Sequence, residues 1–450
     1  MLISQLERLV TSAGLENTFV ITAIGRRTRR ITRIFPKMRR LFLFAALLTT
    51  GLGSAVCEAQ PGEPLLPSSS TLSRLGLERM WSGQATLNPE RDKVAHIVLD
   101  EELIFVQSDS GFITGFDSET GEKKWATKLG RYDEPSFPAI SNQDQVLVIV
   151  GPYMYGLSKR LGNTLWRLRL PGAPSTAPAV DDTHVYMGML DGSIYAANLK
   201  KIRQLYQEQR LPQWSGDAIE WRYQAFKSIT TQPVVTTRVI NFASRGGSLY
   251  GLTTGDHKLT FQLETDQPIV APLTRWKDQL FVASEDHSVY ALNVENGKIL
   301  WDFVSGLPIR RKPLVVDGDL YLAPERGGVY ALNASNGVQL WWRPDLEQVA
   351  TIAGGSLFAT DTDRNLLRVD RSNGAIEGTI PLRRYAHFLS NGVTDRVYVA
   401  TESGFVLAMR VAGRDFPVYH QQPDLLPIVP IFEPEEAPAE EAPSSEADSQ

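Results

Sequence analysis

The chain predicts an all-β fold: an eight-bladed β-propeller of four-stranded antiparallel blades, closed by an N-terminal strand. Three observations carry this. A short alternating segment recurs with a period near 40 residues. An aromatic residue trails most copies at a fixed distance. Turns rich in Gly, Asn and Asp separate the β-prone runs inside each copy. Composition agrees, since 42% apolar and 9% aromatic residues in a chain of 450 supply a large core, while 35 Gly and 27 Pro imply many turns. Gly at every third position is missing, which excludes collagen.

The recurring segment is countable when aligned on its fourth residue. The copies are GFIT ending at Thr114, PYMY at Tyr155, GSIY at Tyr195, GSLY at Tyr250, HSVY at Tyr290, GGVY at Tyr330, NLLR at Arg368 and GFVL at Leu407. Their spacings are 41, 40, 55, 40, 40, 38 and 39. Self-similarity at this period marks a solenoid or a propeller. Each unit resolves into four strands, as in PLVVDGDLYLAPERGGVYALNASNGVQLW from Pro313 to Trp341, where Asp-Gly, Arg-Gly and Asn-Gly turns separate the strands. No such blade buries both faces alone, so blades stack around an axis and each covers its neighbour.

Eleven residues after the anchor stands Trp125, Trp166, Trp301 or Trp341, and Phe261 takes the same place. Trp221 follows Tyr195 by 26 residues, and the surplus of 15 equals the excess in the 55-residue interval, so an insertion sits in an otherwise ordinary repeat. These aromatics are expected to wedge against the adjacent blade, and burying each is worth about 2–3 kcal/mol. The last repeat has no trailing Trp. Upstream of the first, Trp81 lies 33 residues before Thr114, close to the usual 29 or 30, so Leu77 to Trp81 is predicted to form the outer strand of the final blade and tie the ends together.

The ends read differently. Residues 1–59 form a basic leader with an export signal proper from Met38: Arg39 and Arg40, an apolar stretch from Leu41 to Leu52, then small residues. That apolar stretch falls short of the ~20 residues a membrane-spanning helix needs. Cleavage after Ala59 and lipidation of Cys57 are the two processing routes. The arginines Arg26, Arg27, Arg29 and Arg30 belong to this targeting region, and no nucleic-acid partner is expected. Residues 60–76 read as a linker, 77–422 as the propeller with a helical insertion near 199–213, and 423–450 as an acidic, Pro/Ser-rich disordered tail.

Catalytic motifs are sparse. One Cys closes no intrachain disulfide, zinc cluster or redox pair, and the six His show no HxH or HExxH spacing. There is no GxSxG elbow, P-loop or GxGxxG, so no catalytic or metal-binding residue is assigned. Asp361, Asp363 and Asn365 imitate the start of a calcium loop, but Ser372 stands where its closing Glu belongs. Two interaction candidates remain. In LKKIRQLYQEQRLPQW, Leu199, Ile202, Leu205 and Tyr206 share one helical face, which either meets a partner or packs back on the propeller. Arg310, Arg311 and Lys312 lie in the connection between the fifth and sixth blades, at the opposite rim, and suit an acidic partner.

The string GxxYALxxxxGxxLW, as HSVYALNVENGKILW from His287 and GGVYALNASNGVQLW from Gly327, resembles the pyrroloquinoline-quinone (PQQ)-like propeller repeat over about residues 77–420. Within that superfamily the length is similar to the BamB propellers of outer-membrane barrel assembly. The resemblance implies an exported, monomeric scaffold for envelope proteins in the periplasm, with membrane association only indirect or through Cys57. It also implies an alternative, a quinoprotein binding PQQ with calcium in the axial channel, although the family's adjacent cysteines are impossible here. Glycan recognition by channel-mouth aromatics is a third reading.

Overall fold

The computed structural model describes residues 65–88 and 90–420. The leader, the export signal, Cys57 and the acidic tail lie outside the described residues. Every described strand of the fold belongs to one of eight four-stranded antiparallel sheets. Numbered by inner strand along the chain, blades 1 to 7 are each one contiguous stretch, 94–128, 140–169, 179–224, 234–264, 274–304, 314–343 and 348–381. Blade 8 takes His387–Phe388, Val397–Ala400 and Phe405–Val411 from one end and Leu77–Gln84 from the other. The N-terminal strand is thus the outer strand of the last blade, as the position of Trp81 predicts. The insertion and the blade connections follow from the up-and-down order. Turns between third and outer strands lie on one rim, and connections between blades lie on the other.

The sequence pattern explains how blades fit together. The residue after each anchor is Gly or Ala, and it pairs across the sheet with the trailing aromatic: Gly115 with Trp125, Gly156 with Trp166, Ala196 with Trp221 and Gly251 with Phe261. Ala291 with Trp301, Ala331 with Trp341 and Ala408 with Trp81 continue the series. A small side chain leaves a seat for the ring, and a register shift beside each seat turns the ring outward toward the next blade. There it lies on the turn between third and outer strands. A β-carbon at Gly121, Gly162, Gly297, Gly337 or Gly374 would stand 2.2–2.9 Å from the ring resting on it. Four indoles also donate to a carbonyl of that turn, Trp81 to Ser118, Trp125 to Lys159, Trp301 to Ala334 and Trp341 to Arg371, at 2.8–3.1 Å. Trp221 instead stacks on His257, centroids 5.5 Å apart, because His257 occupies the turn position held by Gly elsewhere.

Blade 7 breaks the series and corrects the alignment. Arg368 pairs with Gly378, and Leu367 with Thr379, so the anchor of this repeat is Leu367 and Arg368 stands at the seat. Large and small residues have exchanged places and no ring projects. Instead the stretch read as a linker packs here. Helix α1 (Ser69–Ser73), capped by Ser68, buries Leu72, and Leu75 is fully buried with its side chain beside Gly378. Arg368 donates to the Leu75 carbonyl at 3.3 Å and pairs with Glu377 at 2.7 Å. Leu75 therefore supplies the apolar wedge between blades 7 and 8 that a Trp supplies elsewhere.

Inner strands are joined by side chains donating to, or accepting from, the neighbouring blade's backbone. Gln107 donates to the Phe137 carbonyl and accepts from Ala139, Gln232 donates to Pro178, and Thr274 to Pro313. At the seam between blades 8 and 1, Arg396 is fully buried and bonds Glu119 and Asp395 at 3.1 and 3.3 Å. Asp395 is itself buried and also faces Arg414. Burial raises the Glu119 pKa, and its bonds to Arg396 oppose that rise.

Candidate functional site

The insertion in blade 3 folds as helix α2 (Leu199–Gln207), followed by a short turn of 3-10 helix (Ser215–Ala218). Asn198 caps it by accepting from the Lys201 amide at 3.0 Å. Leu199, Ile202 and Leu205 are all buried in one cluster with Trp166, Leu168, Val185 and Ala218. Of the two readings open from sequence, these three residues follow the second: the helix packs back against the outer edge of blade 2 and presents no apolar stripe to a partner. Because the helix displaces the turn on which Trp166 would rest, that indole turns to Gln145 Oε1 at 3.0 Å. Tyr206 remains accessible at 49%, as does Trp214 at 55%, which sits under the Arg210 guanidinium. Trp214 was not singled out from sequence because it lies beyond the helical repeat.

On the opposite rim, Arg310, Arg311 and Lys312 do not form one basic patch. Arg310 bonds Glu285 on the blade 5 turn and Glu325 on the blade 6 turn, both at 2.5 Å. Arg311 bonds Glu347 at 2.5 Å and the Glu347 carbonyl at 2.7 Å. Both guanidiniums are therefore neutralised within the chain and staple three adjacent loops. Exposed pairs of this kind add little stability, ~0–1 kcal/mol. The arginines fix loop geometry and leave little net charge for a partner.

Lys312 differs. Among the described residues its ammonium has neither hydrogen bond nor ion pair, and the protein crowding it lowers its pKa by desolvation. It lines a cavity of about 340 Å³ walled by blade 6, the inner strand of blade 7 and loops of blades 5, 6 and 8. The other walls come from Pro272, Leu314, Ala323, Val329 and Val349, with Gln348 and Ser390 as polar members. Gln348 Nε2 donates to Ser390 Oγ at 2.8 Å and to the Phe388 carbonyl at 2.9 Å, while Ser390 donates to the Val349 carbonyl at 2.8 Å. The connections entering and leaving blade 7 are short, 344–347 and 382–386, against 305–313 into blade 6.

The last described residues span the opposite rim. Tyr419 donates to the Glu101 carbonyl of blade 1 at 3.5 Å, and the next residue, His420, faces Asp317 of blade 6 at 3.7 Å. Two consecutive residues that reach blades separated by two others must pass near the axis. Burial lowers the His420 pKa.

The cavity lining contains no carboxylate to ligate calcium, and no group of three or more His, Cys, Asp or Glu positioned for a metal occurs among the described residues. The Asp361 carboxylate accepts the amides of Asp363 and Asn365, both at 2.9 Å, and serves a hairpin turn. Among the described residues no helix is long and apolar enough to cross a membrane.

Eight four-stranded sheets, aromatics seated on Gly or Ala, and the YALxxxxGxxLW string define a PQQ-like repeat propeller. The chain belongs to the family described as outer membrane protein assembly factor BamB, whose pattern it matches over residues 109–220 and 212–347. The crystal structure of BamB from Moraxella catarrhalis superposes with a TM-score of 0.58 at 15% identity, covering 74% of this chain and 99% of that one. The computationally designed Ika8 protein superposes equally, TM-score 0.58 at 13% identity, over 73% of this chain and 100% of that one. At these identities both likenesses concern the fold. A tetrathionate hydrolase from Acidithiobacillus ferrooxidans shares 30% identity over 78 residues, 17% of this chain and 16% of that enzyme's length.

Proposed function

We propose that this propeller is an exported, non-enzymatic docking scaffold of the bacterial envelope that acts in outer-membrane protein assembly. Membership of the BamB family supports the setting. The observation that carries a docking role is a pair of large apolar side chains held rigidly on the connection rim, Leu190 exposed at 59% and Phe226 at 68%. Leu190 sits on the turn 189–192 of blade 3, and Phe226 on the connection into blade 4. The two loops are locked together, since Ala225 donates to the Gly192 carbonyl at 2.9 Å and Ile229 to the Met189 carbonyl at 3.2 Å. Apolar groups fixed by a scaffold lose little ordering entropy on binding, which is the advantage of a preorganised platform.

Photo-crosslinking residues placed at positions 190 and 226 in intact cells test the reading. Adducts with outer-membrane assembly components are expected at both positions, and Leu190→Asp with Phe226→Asp should abolish co-purification while leaving the melting temperature unchanged. Recovery of no envelope protein at either position would overturn it.

A further inference from the structure

We propose that the cavity beside Lys312 binds a small amphiphilic monoanion, a carboxylate carried on an apolar body, with the Lys312 ammonium as its counter-ion. The inference is independent of the docking reading, because it concerns a solute in the ring and not a partner on the rim.

Charge accounting within the cavity selects the anion. Arg310 and Arg311 border the space but are already matched by Glu285, Glu325 and Glu347. No acidic residue lines it. One uncompensated cation remains, exposed at the cavity beside apolar walls, and such a charge gains from a direct counter-ion. A single ammonium balances a single negative charge. A phosphate dianion or a dicarboxylate would leave a second charge facing Leu314, Val329 and Val349, where desolvation is unfavourable.

The remaining walls select the body. They are apolar, the Tyr321 ring among aliphatic side chains, and with Gln348 Nε2 and Ser390 Oγ engaged on each other and on backbone carbonyls, Gln348 Oε1 is the one polar atom of the pair left over, too few for a polyhydroxylated ligand. A volume of about 340 Å³ lies at the lower end of small-molecule pockets, which suits an aromatic or short aliphatic acid.

Isothermal titration of the full-length protein with 1-naphthoate and with its neutral isostere 1-naphthalenemethanol tests this. Naphthoate should saturate one site, and Lys312→Met should weaken it at least tenfold while leaving the weaker binding of the alcohol unchanged. Because Lys312 is accessible and unpartnered, this variant is expected to fold, and circular dichroism checks that. A second measurement needs no variant: naphthoate should protect Lys312 selectively from acetic anhydride, read by mass spectrometry. Equal naphthoate affinity in Lys312→Met, unaltered acetylation of Lys312, or tighter binding of inorganic phosphate than of naphthoate would each overturn the proposal.

Discussion

Gly337 shows how much rests on single atoms in this ring. Its φ of +72° is one that side-chain-bearing residues avoid, and a β-carbon there would stand 2.5 Å from the Trp301 ring. Gly337→Ala therefore combines backbone strain with displacement of an indole that also bonds the Ala334 carbonyl. It should destabilise the protein by about 2–4 kcal/mol, from strain of about 1–3 kcal/mol plus partial loss of ring packing. Urea unfolding measures this, and an unchanged midpoint would show that the ring shifts freely. The trailing Trp and the Gly-containing turns were legible in the sequence because both recur at fixed spacing. That the ring meets the next blade was legible too, but that it rests on that blade's Gly turn was not, since this depends on the register shift that turns the ring outward. Lys312 is similar: a run of three basic residues says nothing about which of them its neighbours neutralise.

Among the elements, helix α2 and the N-terminal stretch show where sequence reasoning stops. Periodicity placed Leu199, Ile202, Leu205 and Tyr206 on one face, yet it carries no information about what that face meets. Leu199, Ile202 and Leu205 are buried and Tyr206 is half exposed, because the helix covers Trp166 in place of the turn it interrupts. Ile202→Asp should accordingly cost about 3–5 kcal/mol, as a buried unpaired carboxylate does, whereas Tyr206→Ala should stay within about 0.5 kcal/mol. Thermal unfolding of both variants separates a structural helix from a free one, and equal melting temperatures would contradict the packing described. The stretch around Leu75 reads as a linker in the sequence because it lacks a strand pattern. Its burial follows from Gly378, where blade 7 has no ring of its own, and that vacancy shows only once Arg368 and Leu367 are placed in register.

For the molecule as a whole, the ring count was legible because eight anchors recur, and its closure because Trp81 keeps the repeat spacing. The buried ionic seam that accompanies closure was not, since Glu119 reaches the adjacent Asp395 and Arg396 only when blades 8 and 1 meet. Arg396→Ala should leave Asp395 buried with one cation fewer, and breaking such a pair costs about 3–5 kcal/mol. The loss should appear first as faster hydrogen exchange in blades 8 and 1 and not in blades 3 to 5. Uniform acceleration around the ring would mean that closure is no weaker than any other junction.

The shared construction of blade 8 has a consequence for biosynthesis. Leu77–Gln84 leaves the ribosome before any other strand of the ring, yet its hydrogen-bonding partner Phe405–Val411 is among the last to be made. Seven sheets can assemble in order while that first strand waits unpaired, with Trp81 and its backbone donors open to any passing chain. The final docking step joins segments more than three hundred residues apart, so maturation of the ring is set by its slowest and most distant encounter. Holding that early strand out of trouble until the end is synthesised is a task that falls to whatever chaperone accompanies the nascent chain.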